Sequence, residues 1–315
     1  MSDTVFHPDE LDAQARAGVG STRPGIRDFM PEQHRTFFAA LPYLLVGASD
    51  GDGWPLATLL EGQSGFVSSP DAATLRIEAL PHATDPAAGM IRVGDEIAVL
   101  GIDFGTRRRN RANGTVSSLD ASGFTVAVRQ GFGNCPQYIQ RRNITQGLSV
   151  AGTVRPLVSF DSESRALIER ADTFFVATRS RAGIGAAGGA DISHRGGQPG
   201  FVRITGDALF IPDFRGNRYF NTLGNLVGEP RCSLLFLDFE NGDLLQLQGT
   251  ACIDWSGPAA QLVQGAERTW QFRVARGWYR PRAAVLRGEL IDYSPVTLRT
   301  GTWARDVNRR HEARG

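Results

Sequence analysis

The sequence predicts a mainly β protein with a few helices, folded as two tandem β-barrels that pair within one chain as a pseudo-dimer. Three observations lead there. Short apolar strands alternate with tight Gly-rich turns, a pattern that favours small closed barrels in which no sheet edge is left free. Each half reads as one helix followed by about six antiparallel strands. Landmarks of the first half recur in the second at a nearly constant spacing.

Residues 1–27 read as a loosely docked N-terminal arm. Pro31-Glu32-Gln33 opens a helix, with proline suited to the first turn, and Phe37, Phe38 and Leu41 share one face. Tyr43 to Ala48 is a strand, Asp50-Gly51-Asp52-Gly53 a hairpin turn, and Leu56 to Leu60 the returning strand. Gly65-Phe66-Val67 follows, then strands at Leu75-Arg76-Ile77, Glu96 to Asp103, Asn113 to Ser118 and Phe124 to Val128. Gly131 to Tyr138 is a loop leading into a short helix. The boundaries expected are a first half at 28–150, a linker at 151–160 and a second half at 161–305.

The repeat is legible residue by residue. Phe37, Phe38 and Leu41 correspond to Leu167, Ile168 and Ala171, and Val46 to Val176, a shift of 130 (167 − 37). Gly65-Phe66-Val67 matches Gly200-Phe201-Val202, Asp103-Phe104 matches Asp238-Phe239, and Gly114-Thr115 matches Gly249-Thr250, a shift of 135 (200 − 65). Gly131-Phe132 matches Gly277-Trp278, a shift of 146 (277 − 131). The increments fall in the first hairpin and in an extra helix near Pro258 to Gln264, connections where a duplicated fold tolerates insertion.

Composition narrows the function classes. The chain has 315 residues, 41% hydrophobic and 21% charged, with net charge +1, as expected of a soluble globular protein of about two domains. No apolar run is long enough to span a membrane, and the polar, acidic start does not read as a signal peptide, so a cytoplasmic location is expected. Three scattered cysteines fit a reducing compartment. There is no lysine, so all 34 basic residues are arginine, which excludes lysine Schiff bases and covalent pyridoxal phosphate. The five histidines lie far apart without H-x-x-H or C-x-x-C spacing, so no metal site is expected. Near-neutral charge argues against nucleic-acid binding. The run Arg107-Arg108-Arg109-Asn110-Arg111 between two strands reads as a solvated hairpin. A nucleic-acid module built on it would need steeply salt-dependent binding.

The stretch from Ile184 to Phe239 carries the candidate chemistry. It reads as strand, strand, phosphate loop, short helix, strand. In Arg215-Gly216-Asn217-Arg218 two guanidiniums flank a Gly and an Asn where an extended segment gives way to a helix, Tyr219 to Val227. A helix start presents free backbone N–H groups to an anion, and Arg adds charge-assisted contacts to phosphate oxygens. A solvated basic turn is the alternative.

The phrases Ser193-His194-Arg195-Gly196-Gly197-Gln198-Pro199-Gly200-Phe201, Pro212-Asp213-Phe214-Arg215-Gly216-Asn217-Arg218 and Asn134-Cys135-Pro136-Gln137-Tyr138-Ile139 resemble the pyridoxamine 5′-phosphate oxidase-like, FMN-binding split-barrel family. The likeness spans residues 27–280 and is nearest a long bacterial branch with two barrels per chain. It implies two tandem split β-barrels with FMN at their junction or between chains, in a homodimer. It implies Arg215 and Arg218 on the FMN phosphate with Asn217 and Asn221 as neutral donors. Ser193, His194 and Arg195 would reach the isoalloxazine edge, and Asn134, Gln137 or the Arg107–Arg111 hairpin would wall the site from the first half. The pyridoxamine phosphate residues of the namesake have no clear counterpart. Three cysteines are too few for the iron–sulfur reductase module of some relatives, so a separate flavin reductase or NAD(P)H would supply electrons.

The activity this implies is FMN-dependent oxidoreduction of a small molecule; the alternative is a non-catalytic protein that stores or senses a flavin or a haem-type ligand. His194 is the candidate general acid, although a lone histidine is commonly structural. Ser193 to Arg195 could equally be a solvated hairpin shoulder. Cys135 reads as a small hydrophobe rather than a redox thiol. Trp270, Phe272 and Trp278 fit a flavin wall or a strand's core face equally well. The duplication is imperfect where it matters: opposite the arginine loop the first half reads Leu80-Pro81-His82-Ala83-Thr84, with no Arg, so one FMN per chain is expected.

Overall fold

A computed structural model describes residues 5–20, 25–148 and 150–303. The protein is mainly β, in antiparallel sheets. Helix α1 (Pro8–Arg16) comes first. The first half then runs α2 (Glu32–Ala40), β1 (Tyr43–Ser49), β2 (Pro55–Glu61), β3 (Val67–Ser68), β4 (Thr74–Ile77), β5 (Glu96–Asp103), β6 (Arg108–Asp120) and β7 (Gly123–Gly133). Its hydrogen-bonded order is β2-β1-β5-β6-β7-β4-β3. Two short strands follow, β8 (Arg141–Gln146) and β9 (Arg155–Leu157).

The second half opens with α3 (Ser162–Arg170), β10 (Thr173–Arg179), β11 (Ala190–Gly196), β12 (Arg203–Thr205) and β13 (Ala208–Phe214). It continues with α4 (Asn221–Gly228), β14 (Arg231–Leu237), β15 (Leu244–Asp254), β16 (Ala266–Arg280) and β17 (Leu286–Asp292). Its strand order, β11-β10-β14-β15-β16-β13-β12, is that of the first sheet, strand for strand. Registers repeat as well. Val46 pairs Thr58 where Val176 pairs Ser193, and Ala112 pairs Gly131 where Leu247 pairs Gly277.

Strands β8 and β17 pair only with each other, forming a ribbon between the halves. At its centre Asn143 pairs Glu289, its own equivalent under the shift of 146 (289 − 143). A pseudo-twofold axis therefore passes through this pair.

The apolar runs explain the packing. Tyr43-Leu44-Leu45-Val46 and Phe174-Phe175-Val176-Ala177 lack the polar alternation of a half-exposed strand, which means both faces are buried. Leu44 and Val46 point into a core inside the first half; Phe174 and Val176 into one inside the second. Tyr43, Leu45, Phe175 and Ala177 fill a third core between the halves, with Leu100, Leu235 and Leu237. Each fully buried Leu or Phe there contributes roughly 1.5–3 kcal/mol, so the halves hold together as one body.

Several local expectations are corrected. The N-terminal arm carries α1, packed on α4 with Asp9 and Glu10 buried. The 151–160 linker supplies β9, which pairs β16. No helix follows Gly131 to Tyr138; the chain enters β8, because its polar residues pair with β17. The arginine run is no hairpin tip: only Arg107 sits in the turn, with φ 57°, and β6 starts at Arg108.

Candidate functional site

Strand geometry builds the site. On β6 alternate residues share a face, so Arg109 and Arg111 point the same way. Both reach β11 of the second half, and an open cleft lies between them and the segment from β13 into α4. Gly196 lets the halves approach here: a Cβ on it would overlap the Tyr138 carbonyl.

Both terminal nitrogens of Arg111 are tied down, while its Nε has no partner. Its Nη1 donates to Asp191 Oδ1 at 2.7 Å and to Asn221 Oδ1 at 3.2 Å, and its Nη2 donates to Ser193 Oγ at 2.5 Å. Thr222 Oγ1 donates to the same hydroxyl at 2.8 Å. Arg111 and Asp191 are both buried, and burial pulls the guanidinium's pKa down while Asp191 opposes it. Asn221, the first residue of α4, also donates to Glu10 Oε1 of α1 at 2.6 Å.

Glu10 is itself perturbed. Burial is the largest cause, and it raises the carboxyl from 4.5 to about 8 against hydrogen bonds from Asn221 and His7. A carboxyl more easily protonated in the fold than in the open chain stabilises the fold at low pH. That contribution is lost as pH rises through about 8. Thermal stability is therefore expected to fall between pH 5 and 8, and Glu10→Gln to flatten that fall; unchanged profiles in melting scans would refute this.

Arg109 has no such partner. Its Nη1 donates to His194 Nδ1 at 3.0 Å and reaches the His194 carbonyl at 3.4 Å. No carboxylate among the described residues pairs with it, and burial followed by the nearby Arg111 charge pushes its pKa down to about 9. His194 is buried, and burial, then Arg109 and Arg195, hold its pKa well below 6.5, so the ring is neutral. Accepting at Nδ1 assigns the proton to Nε2, which has no partner.

The far wall is the loop from β13 to α4. Asp213 accepts from Arg195 at 2.8 Å and from Arg268 at 2.5 Å. Asn217 Nδ2 donates to Asn134 Oδ1 of the first half at 3.0 Å, and Asn217 Oδ1 accepts the Tyr219 N–H at 3.0 Å. Arg218 and Phe220 hold left-handed backbone, φ 62° and 61°, which non-glycine residues adopt at a cost. Arg218 stands 3.9 Å from Glu267.

No family model matches the sequence, and no curated protein matches it. Among solved structures, HupZ of Group A Streptococcus is 18% identical, with a TM-score of 0.31, covering 40% of this chain and 97% of that chain. A Clostridium acetobutylicum protein related to general stress protein 26 of B. subtilis, of the pyridoxinephosphate oxidase family, is 18% identical. Its TM-score is 0.27, over 41% of this chain and 92% of that one. The K. pneumonia MrkH–c-di-GMP complex is 11% identical, with a TM-score of 0.24, over 81% and 87%.

Seven expected residues line the one cleft: Asn134, Ser193, His194, Arg195, Asn217, Arg218 and Asn221. Gln137 does not line it. Arg215 is exposed at the end of β13, giving its carbonyl to Tyr138 Oη at 3.0 Å. Arg109 and Arg111 line it, two members of the Arg107–Arg111 run that was offered as a possible wall, and so does Arg268, which was not singled out. The period-two spacing of Arg109, Arg111 and Asn113 was the available signal. Trp270 and Phe272 belong to the second half's core, and neither they nor Trp278 line the cleft.

Proposed function

We propose that this chain is an FMN-binding flavoprotein of the pyridoxamine 5′-phosphate oxidase-like, tandem split-barrel type, using its flavin to oxidise or reduce a small molecule. One observation carries the reading. Buried nitrogens of Arg109, Asn134, His194, Arg195 and Arg218, all N–H donors, have no partner on the residues around this cleft. Buried donors left unpaired cost roughly 1–3 kcal/mol each, so this set of unpaired donors fits a ligand rich in acceptors. The charges agree. Arg109, Arg111, Arg195, Arg218 and Arg268 face Asp191, Asp213 and Glu267, a surplus of two positive charges (5 − 3). A phosphate monoester carries about −1.5 to −2 near pH 7.

FMN supplies both features, a dianionic phosphate and a ring edged with carbonyl and imine acceptors. Arg218, Asn217 and the start of α4 would hold the phosphate. Arg109, Arg195 and the neutral His194 would face the ring's acceptors, and donors there favour the reduced, anionic flavin. When bound, the flavin would accept or donate a hydride; a separate flavin reductase or NAD(P)H would be its electron source. The haem-type ligand is the second reading; with Nδ1 of His194 accepting from Arg109, the proton falls on Nε2, the nitrogen an iron would need.

Titration with FMN and with riboflavin tests this. FMN is expected to bind at least tenfold more tightly, because the phosphate is an anchor, and the bound flavin to be reduced by NADH or NADPH and reoxidised in air. Equal affinities would remove the phosphate from the cleft, and a protein that binds neither would end the flavin reading.

A further inference from the structure

The pseudo-twofold axis must generate a second copy of the cleft on the opposite side of the molecule, and the residues there can be named from the strand registers. The shift of 135 places Leu56, Thr58, Leu59 and Leu60 at the positions of Asp191, Ser193, His194 and Arg195. It places Leu244 and Gln246 at those of Arg109 and Arg111. The four leucines are buried. The remaining polar groups are spoken for: Thr58 Oγ1 donates to Asp85 Oδ2 at 2.6 Å, and Gln246 Nε2 donates to Asp85 Oδ1 at 3.1 Å and to the Ala57 carbonyl at 2.9 Å.

The last wall decides the matter. Asn134, which has an unpartnered nitrogen in the cleft, corresponds to Arg280 under the shift of 146 (280 − 134). Arg280 Nη1 donates to Asp85 Oδ2 at 2.6 Å and to Gln246 Oε1 at 3.2 Å. Both charges are 4% exposed. A side-chain guanidinium and its carboxylate thus stand where a ligand would enter the copy. Arg280 Nε is left without a partner, but the two buried charges cancel, so the pair leaves no net charge for an anionic ligand to answer.

We infer that the Arg280–Asp85 pair is a built-in plug: it fills the twin of the cleft, so each chain takes a single anionic ligand, at Arg109. The inference rests on the flavin reading only for the choice of titrant. FMN titration followed by flavin fluorescence is expected to end at one per chain, and an end point of two overturns the plug. The double variant Asp85→Ala/Arg280→Asn removes both charges together, so neither is stranded. It should bind FMN within about twofold of the wild type, whereas a tenfold loss would place the pair in the ligand site. If the wild type binds no FMN, the flavin reading fails and bromide decides the plug. Crystals soaked in bromide should show an anomalous peak beside Arg109 and none beside Arg280; a peak at Arg280 overturns the inference.

Discussion

Arg109→Ala is expected to weaken FMN binding by about 100-fold while leaving the ligand-free protein as stable as before, or more stable. The two effects have one cause. A half-buried guanidinium without a carboxylate costs the empty fold free energy, and that cost is relieved when an acceptor-rich ligand arrives. Charge-assisted hydrogen bonds are worth about 1.5–3 kcal/mol each, and every 1.4 kcal/mol is tenfold in Kd. Calorimetric titration and thermal melts of the same preparation check both halves of the statement. A variant that melts well below the wild type, with unchanged affinity, would make Arg109 structural.

Arg111→Ala, two residues along the same strand, should do the opposite to the fold. It strands the buried Asp191 carboxylate, and breaking a buried pair from one side costs about 3–5 kcal/mol. Because Arg111 belongs to the first half and Asp191 to the second, the loss falls on the joint between them. Adding Asp191→Ala should recover much of the stability, as chemical denaturation would show. If the double variant is no more stable than Arg111→Ala alone, the loss comes from elsewhere, such as the Arg111–Phe132 ring contact.

The contrast between these arginines shows what a single sequence can and cannot display. Strands β1, β5 and β14 were legible because an unbroken apolar run is itself evidence of two buried faces. The repeat was legible because its glycines and aromatics fall in order. The partners of Arg109 and Arg111 were not, because they lie 80 or more positions away, on strands brought close only by the pseudo-twofold axis. A cluster of arginines also looks like a solvated turn unless its alternation is read against the residues between. Glu10 was hidden for the same reason: its chemistry comes from α4, more than 200 residues on. Strand β17 was missed because it shows no clean alternation, with Leu290 and Ile291 exposed, and its pairing is with the other half.

The ribbon of β8 and β17 has a kinetic consequence. Each seven-stranded path is assembled from one continuous stretch of chain, so most of its contacts close short loops. The ribbon joins residues such as Asn143 and Glu289, and closing so long a loop is entropically slow. The halves should therefore collapse separately and dock late. Since the cleft needs β6 from one and β11 from the other, ligand competence should appear only in the final phase of refolding, after most β-structure has already formed.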